Sequence, residues 1–441
     1  MRTPSNIYII VLDACRADKF GCYGFTRQTT PIVDALAADP DAVIFRRHYV
    51  QGTWTKPSTA SLFSGLLVRQ HGVVDGEIPS QDSRTTSSFR TQALAPQIST
   101  LAERMRDAGF ATFAVLQNQH LASNYGFGRG FTTYQALSYD VHGGDYALVK
   151  RFIDLVGSTP GRQFGYLHVR GCHYPFEPSG RDGEYIQQYG FPYDEAARRK
   201  AGVDLTTAAV KDQINEGILR LTADDIRFLN LLYEARLHRS DGFVGSVLTK
   251  LRETGRYDDS LIMVTADHGE ELYDHHGYGH GHALWEVLMH IPLIVKFPHG
   301  CKPPALGHEV DALTAVVDVM PSLLAFSGQS PPQRTAGLPV FMGASRDYIV
   351  SENVEFGEWA VIRDGYKLIE KKPEPLLFNL GNDPTESANL AANDASRVAA
   401  MRTFARQVFS AATQESVAAP VIDEHLPAGA LENLRNLGYL K

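Results

Sequence analysis

Short, continuous apolar runs alternate along the chain with stretches of helical periodicity. Residues 7–12 are apolar throughout and rich in β-branched side chains, which is the pattern of a strand buried on both faces. Three further runs, 111–116, 164–169 and 261–265, each follow a predicted helix, and these helices span 101–109, 146–156 and 243–254. The alternation predicts an α/β fold with a mostly parallel central sheet and helices on both of its faces.

Each of the predicted strands leads into a polar residue. These residues are Asp13, Asn118, His168 and Asp267. Ligands of open α/β sheets bind outside the carboxyl ends of the strands. The four polar residues therefore predict one shared site at this edge of the sheet.

Two segments interrupt the alternation of helices and strands. Residues 80–92 are rich in Ser, Thr and Arg and are predicted to form an exposed loop. Residues 177–222 are charged and partly helical. Long insertions in compact domains are often lids over a site, but surface decoration would give the same pattern, and the sequence does not decide between the two.

The pattern of predicted secondary structure changes near residue 343. A helix is predicted over 395–412, and short strands are predicted over 347–350, 359–363, 366–370 and 376–380. This pattern predicts a small antiparallel sheet with one packed helix. We therefore expect a catalytic domain over 1–343 and a C-terminal subdomain over 344–441.

The net charge of −8 argues against a general binder of nucleic acid or of anionic membranes. An anionic substrate would then need a local positive site, such as a metal ion.

No apolar run is long enough for a signal peptide or a membrane span, so a cytoplasmic location without a membrane partner is expected. The four cysteines form no CxxC pair, which argues against a disulfide framework or a zinc knuckle. Nothing in the pattern predicts an oligomeric state.

Asp13 follows the first predicted strand directly. Burying a carboxylate costs free energy unless a partner binds it. A metal ion or a helix N-terminus would be such a partner. Taken alone, Asp13 would be assigned to a helix cap.

Thr55 lies at the predicted start of a helix. Residues 54–65 contain Pro57 in the first turn and a run of hydroxyl side chains, which is typical of a helix N-terminus. Free amides and the positive end of the helix dipole favour an anion at this point, as a nucleophile attacking an anionic ester requires. Taken alone, the pattern favours a structural N-cap threonine.

Histidines concentrate near the predicted strand ends. Asp267 and His268 are adjacent and offer one hard oxygen and one imidazole to a cation. A solvated histidine-rich loop is the simplest interpretation of residues 274–282, but the density of histidines there favours a site. The other candidates of this type are His168, His173 and His280.

The order of these elements resembles that of the sulfatase family, a branch of the alkaline phosphatase superfamily. Residues 6–24 resemble the family's first strand followed by Asp, Arg-Ala-Asp and Gly-Cys-Tyr-Gly. Residues 55–65 match the spacing of the signature Cys/Ser-x-Pro-Ser-Arg-x-x-x-Leu-Thr-Gly. The other matching elements are His168 and His173 in a His-x-x-x-x-His-x-Pro pattern, Asp267-His268-Gly269, Gly279-His280-Gly281, residues 366–369 and residues 383–386.

The resemblance implies an α/β domain of the alkaline phosphatase type and metal-dependent hydrolysis of a small anionic ester. Thr55 would be the nucleophile, and His173 or His280 would protonate the leaving oxygen. The implied substrate-binding residues are Lys56, Asn118, His120 and His168. The implied ligands of one divalent cation are Asp13, Thr55, Asp267 and His268.

The sequence departs from the family pattern at four positions. Sulfatases convert the signature Cys or Ser to formylglycine, and the Thr55 side chain cannot become that aldehyde. The signature Arg is Thr59, the Lys of the family's Gly-Lys-Trp-His element is Asn118, and the second Asp of the usual calcium pair is Ala14. The imidazole of His268 and the lost carboxylate favour zinc or manganese over calcium or magnesium, which stay alternatives.

These departures favour a phosphate ester or diester as substrate, because threonine nucleophiles act on phosphate diesters in sister families. Three alternatives stay open: a sulfatase that uses unmodified Thr55, a phosphotransferase, and, last, a non-catalytic binding module. A second metal bound by His168, His173 and His280 also stays open. One metal is favoured, because no acidic residue obviously completes a second site.

Overall fold

A computed structural model describes residues 4–74, 88–137, 144–176 and 182–425. Its strands are β1 (Asn6–Leu12), β2 (Ala42–Tyr49), β3 (Ser88–Gln92), β4 (Ala111–Leu116), β5 (Thr133–Ala136), β6 (Gln163–Val169), β7 (Ser260–Thr265), β8 (Glu271–Leu272), β9 (Tyr278–Gly279), β10 (His290–Ile291), β11 (Leu293–Lys296), β12 (Glu309–Ala315), β13 (Tyr348–Asn353), β14 (Glu358–Arg363), β15 (Tyr366–Glu370), β16 (Leu376–Asn379) and β17 (Val421–His425).

Helices make up most of the remaining regular structure. They are α1 (Pro31–Ala37), α2 (Thr55–Ser64), α3 (Val68–His71), α4 (Leu101–Asp107), α5 (Gly144–Ser158), α6 (Asp182–Tyr189), α7 (Glu195–Lys200), α8 (Ala208–Asn215), α9 (Ala223–Glu253), α10 (Glu286–Met289), α11 (Val319–Phe326) and α12 (Ala395–Gln414).

The central sheet is mixed and mostly parallel, as the sequence predicts. Its order is β2-β11-β7-β1-β6-β4-β5, with β10 and β12 also paired to β2. β1 pairs in parallel with both β6 and β7, and β4 pairs in parallel with β5 and β6. β11 is antiparallel to β7 and β2. Because β1, β6 and β7 are parallel neighbours, their carboxyl ends meet at one edge of the sheet.

Helices cover both faces of the central sheet. On one side α5 packs against β4 and β6 and against the long helix α9, which also contacts α1. On the other side α4 packs against the same two strands and also contacts α2 and α11. All ten residues of α2 are buried. The N-terminus of α2, which begins at Thr55, is therefore fixed inside the protein rather than on its surface.

The predicted C-terminal sheet is confirmed. β13, β14, β15 and β16 form an antiparallel sheet, and α12 packs against β14. β13 is joined to the segment that leads to α2, because Glu352 N donates to Gln51 O at 2.8 Å and Ser351 Oγ donates to Val50 O. The division at residue 343 stays a prediction, but these hydrogen bonds show that the C-terminal sheet supports the segment before Thr55.

The structure corrects the predicted exposed loop over residues 80–92. Residues 88–92 form β3, which pairs with β17 in an antiparallel ladder, and Thr91 is buried. The hydroxyl-rich sequence did not predict this strand, because its pairing partner lies more than three hundred residues further along the chain. Residues 80–87 lie outside the described residues. So do residues 177–181 of the second insertion, whose described part contains α6, α7 and α8.

All four cysteines are free, in agreement with the absence of a predicted disulfide framework. Among the described residues, no helix has the length and apolar character that crossing a membrane requires.

A candidate metal-dependent active site at the strand ends

Two buried aspartates lie side by side where β1 and β7 end. Asp13 follows β1 and Asp267 follows β7 by two residues, and each is 2 % exposed. Oδ1 of Asp267 accepts hydrogen bonds from Ala14 N at 3.1 Å and from His268 N at 3.0 Å. These bonds fix the Asp267 carboxylate between the two strand ends.

Two imidazoles direct Nε2 towards this carboxylate pair. His168, on β6, has Nε2 at 3.5 Å from Asp13 Oδ2 and 3.6 Å from Asp267 Oδ2. His268 has Nε2 at 3.4 Å from Asp13 Oδ1 and 3.5 Å from Asp267 Oδ2. The Nδ1 atoms face away: that of His168 lies 3.1 Å from the Tyr166 hydroxyl, and that of His268 lies 2.8 Å from Gly269 O. A carbonyl can only accept, so His268 Nδ1 carries the proton and Nε2 offers a lone pair.

Three buried atoms at this point lack a hydrogen-bond partner among the described residues. They are Asp13 Oδ1, His168 Nε2 and Asp267 Oδ2. One ligand atom from each of Asp13, His168 and Asp267 lies within 4.8 Å of the others. Buried polar atoms are normally paired, and buried charges are normally paired or bound to a metal. Two carboxylates and two imidazoles suit a divalent cation such as zinc or manganese, so the residues fit a metal.

The electrostatics of the pair also favour a cation. Burial, together with the neighbouring Asp267 carboxylate, raises the pKa of Asp13 to about 6. Burial acts in the same direction on Asp267, but His268 and His168 outweigh it, and the pKa of Asp267 is lowered. Two carboxylates this close repel each other when both are ionised, and a bound cation would remove that repulsion.

Thr55 places its hydroxyl beside this cluster. Its Oγ1 lies 3.3 Å from His268 Nε2 and accepts a hydrogen bond from Asn118 Nδ2 at 3.3 Å. Asn118 Nδ2 also lies 3.4 Å from Asp13 Oδ2. Thr55 is the first residue of α2, and Trp54 before it is extended and makes no side-chain capping hydrogen bond. The hydroxyl thus lies at the positive end of a helix and within reach of the predicted metal ligands.

Two of the predicted substrate-binding residues, His120 and Lys56, are buried near the start of α2. His120 is buried, its ring lies edge-on to Trp54 with 5.5 Å between centroids, and its N donates to Asn118 Oδ1 at 3.0 Å. Burial and the nearby Lys56 ammonium lower the pKa of His120 to about 3. Lys56 is itself buried, and its ammonium contacts Thr91 Oγ1 and lies 4.5 Å from the Tyr125 ring centroid. Its predicted role in substrate binding stays a prediction.

His173 and His280 lie next to each other and to His268. The ring centroids of His173 and His280 are 4.6 Å apart, and those of His268 and His280 are 4.2 Å apart. Burial and then Lys211 lower the pKa of His280 to about 3. The pKa of His173 is also lowered well below its usual value, by burial and then by His280. Two imidazoles therefore lie beside the predicted metal ligand His268.

The second insertion borders the site. Asn215, at the end of α8, makes two hydrogen bonds with the backbone of Tyr278, of 2.9 and 2.8 Å. The aliphatic chain of Lys211, also on α8, packs against Gly279, the residue before His280. These contacts join the insertion to the loop that carries His280, and a lid function stays a prediction.

The structure brings all the predicted site residues into one region, while their roles stay predictions. It places His168, predicted to bind substrate, directly between the two aspartates. Glu270 was missed by the sequence analysis, although it is fully buried and its Oε1 lies 2.9 Å from His280 Nδ1. Its position directly after Asp267-His268-Gly269 was the available signal, because a buried glutamate needs a partner.

Known proteins resemble this chain in sequence and in fold. A profile of the family described as Sulfatase matches residues 5–328. The uncharacterized sulfatase YidJ of Escherichia coli K12 is 23 % identical over 439 aligned residues, which cover 88 % of this chain and 83 % of that protein. The multifunctional alkaline phosphatase superfamily protein PehA of Trinickia caryophylli is 24 % identical over 498 aligned residues, covering 92 % and 95 %.

Solved structures share the fold. The phosphonate monoester hydrolase of Agrobacterium radiobacter superposes with a TM-score of 0.70 at 22 % identity, covering 96 % of this chain and 97 % of that one. A protein solved in complex with its substrate D-glucosamine-2-N,6-O-disulfate superposes with a TM-score of 0.73 at 18 % identity, covering 94 % and 99 %. At these identities the likeness establishes the fold alone.

Proposed function

The chain belongs to the sulfatase family of ester hydrolases, and from this premise we propose that it hydrolyses a phosphate ester or diester with Thr55 as nucleophile. The substrate would be a small anionic molecule, since the site is a buried cluster at the strand ends. The relatives named as phosphonate monoester hydrolase and as multifunctional alkaline phosphatase superfamily protein are in keeping with a phosphorus ester.

One observation carries the proposal. The Thr55 hydroxyl lies 3.3 Å from His268 Nε2, and buried atoms of Asp13, His168 and Asp267 beside it have no hydrogen-bond partner among the described residues. This arrangement unites a nucleophile with a cation site. A structural threonine at a helix N-terminus would account for the hydroxyl but not for the unpaired carboxylate and imidazole atoms.

Asp13, Asp267 and His268 would hold one divalent cation together with Thr55, and His168 joins this set by its position. When bound, such a cation lowers the pKa of the Thr55 hydroxyl and neutralises charge on the phosphoryl oxygens. Asn118 Nδ2 donates to Oγ1 and would stabilise the oxygen as its negative charge develops. The Thr55 oxygen then attacks phosphorus in line with the leaving oxygen, and water later attacks the phosphothreonine.

The chemistry of threonine favours phosphorus over sulfur. Thr55 carries a methyl group on its β-carbon, so oxidation would give a ketone rather than the formylglycine aldehyde. The hydrated aldehyde of other family members releases sulfate by returning to the carbonyl, and a threonine ester has no such route. A phosphothreonine can instead be opened by water attacking phosphorus.

We assign protonation of the leaving oxygen to His173 or His280. Both rings lie beside His268. A general acid typically contributes ~10²–10⁴ in rate.

His280→Ala should therefore slow turnover by about 10²-fold or more while changing the melting temperature little. His282→Ala is the matched control, because His282 is on the same loop but pairs with Glu271. Equal rates for wild type and His280→Ala would show that His280 is structural.

A substrate panel tests the proposed function. Phosphate monoesters, diesters, phosphonates and sulfate esters should be assayed with a chromatographically pure protein of known metal content. We expect phosphorus esters to be cleaved in water without an alcohol acceptor. Product release that occurs only with an added alcohol would identify a phosphotransferase, and a protein without bound metal or turnover would point to a binding module.

A further inference from the structure

Glu270 occupies a position that the proposed mechanism leaves unexplained. Its side chain is fully buried, and each carboxylate oxygen has its own contact: Oε1 lies 2.9 Å from His280 Nδ1, and Oε2 accepts from Tyr174 N at 3.2 Å. The Glu270 carbonyl accepts from Arg16 Nη1 at 3.4 Å. Glu270, which follows β7, is thus hydrogen-bonded to the segments that follow β1 and β6. It is also hydrogen-bonded to the loop that carries His280.

The backbone of the His280 loop is held by other residues. Gly281 N donates to Thr53 O at 3.0 Å, and Gly281 O accepts from Asn353 Nδ2 at 2.7 Å. These bonds locate the main chain but leave the side-chain torsions of His280 open. Within the described part of the chain, the contact with Glu270 is the hydrogen bond that the imidazole makes. Glu270 therefore supplies the hydrogen bond that fixes the rotation of a ring packed against His173 and His268.

We propose that Glu270 is a positioning residue that holds the His280 ring so that its second nitrogen, Nε2, faces the leaving oxygen of the substrate. The inference rests on the proposed function. In the step that it supports, the bond between phosphorus and the leaving oxygen breaks, and its electron pair stays on that oxygen. The Nε2 proton moves to the same oxygen, and the proton shared by Glu270 Oε1 and His280 Nδ1 ends on Nδ1, so the ring is left neutral. A carboxylate that orients a catalytic or metal-binding imidazole typically contributes 10–100-fold in activity.

The same loop offers a matched control. Glu271 is also fully buried, and its Oε2 lies 2.7 Å from His282 Nε2. Its Oε1 accepts from His275 N and Gly277 N at 3.0 and 2.7 Å, so this glutamate holds the turn over residues 275–277. Glu270 and Glu271 are thus adjacent buried glutamates with a histidine partner each, but only His280 adjoins His268 and His173 among the ring contacts of the described residues.

The experiment compares leaving groups of different acidity. Aryl phosphates or diesters that release 2,4-dinitrophenol need little proton donation, whereas those that release phenol need much. Glu270→Ala should slow the phenyl ester about 10–100-fold more than the dinitrophenyl ester. Glu270→Gln should recover part of this loss, because its amide can still accept from Tyr174 N and contact His280 Nδ1 but cannot supply a proton to it. In Glu271→Ala, any slowing should be equal for both esters.

A double-mutant cycle tests whether Glu270 acts through His280. In the His280→Ala background, the further change Glu270→Ala should alter the phenyl ester rate less than about twofold, since residues that act as a unit are not additive. Metal content should be unchanged in every variant. Equal slowing of both esters, full additivity, or the same ratio in Glu271→Ala would overturn the proposal.

The outcome is separable from that of the proposed function. Turnover of aryl phosphorus esters by the wild-type protein tests the function, and the ratio between leaving groups tests Glu270. If the wild type cleaves aryl sulfates instead, the same ratio can be measured on the sulfate series. The positioning role of Glu270 then stands or falls on its own.

Discussion

Thr55→Ala is expected to abolish turnover, with a loss of about 10⁴-fold or more in kcat. The change removes the oxygen that would attack phosphorus and leaves the other proposed metal ligands, Asp13, Asp267 and His268, in place. The first turn of α2 should persist, because Ser58 N donates to Trp54 O at 3.4 Å without the Thr55 side chain and alanine favours helix. The measurement is kcat for the best phosphorus ester in the panel, with metal content and melting temperature measured on the same sample.

Two further variants control for the loss of a buried hydroxyl. Thr55→Ser keeps an attacking oxygen and should retain part of the activity. Thr53→Ala removes another buried hydroxyl, which donates to Ala283 O at 2.9 Å, and should cost stability of about 1 kcal/mol but little activity. An active Thr55→Ala variant would exclude Thr55 as the nucleophile.

Asp267→Asn should remove most of the bound divalent cation and, with it, most of the activity. The asparagine can still accept hydrogen bonds from Ala14 N and His268 N through its side-chain oxygen, so the local fold should survive. It lacks the negative charge that a divalent cation requires of its ligands. Metal analysis after gel filtration measures the effect directly, and added metal should restore the rate only in part.

Asp241→Asn is the matched control for this change. Asp241 is buried like Asp267, and its carboxylate accepts from two backbone amides, those of Ile32 and Val33, at 2.9 and 2.8 Å. It lies on α9, away from the strand ends. We expect this variant to keep both metal and rate. A fully metal-loaded, active Asp267→Asn would refute the assignment of the metal site.

The strands that carry the site could be predicted because their apolar runs are continuous. β1, β6 and β7 are buried along their whole length, so their apolar runs stand out. β2 was missed, because its second half contains Arg46, Arg47 and His48. The structure explains these residues by long-range partners: Arg46 pairs with Glu309, and His48 Nδ1 lies 3.0 Å from Thr314 Oγ1. No local pattern reveals such partners.

The residues proposed for the site, apart from Glu270, could be named from the sequence, but their arrangement could not. Asp13, Asp267 and Thr55 follow apolar strands or open a helix, and these positions can be identified in one dimension. His168 and Glu270 obtain their surroundings from β-strand register and from loop contacts. The parallel register that sets His168 beside Val11 brings its imidazole to Asp13, and the sequence alone does not give this register.

The most direct test of the central claim is the ranking of matched p-nitrophenyl esters by one preparation of the wild-type protein. The phosphate, the phosphate diester, the phenylphosphonate and the sulfate all release the same chromophore, so their kcat/KM values compare phosphorus with sulfur directly. An intact mass measured on that preparation reports whether Thr55 is unmodified. We predict an unmodified Thr55 and at least one phosphorus ester cleaved about tenfold or more faster than the sulfate, equivalent to about 1.4 kcal/mol in the activation barrier. A sulfate cleaved much faster than every phosphorus ester would contradict the account.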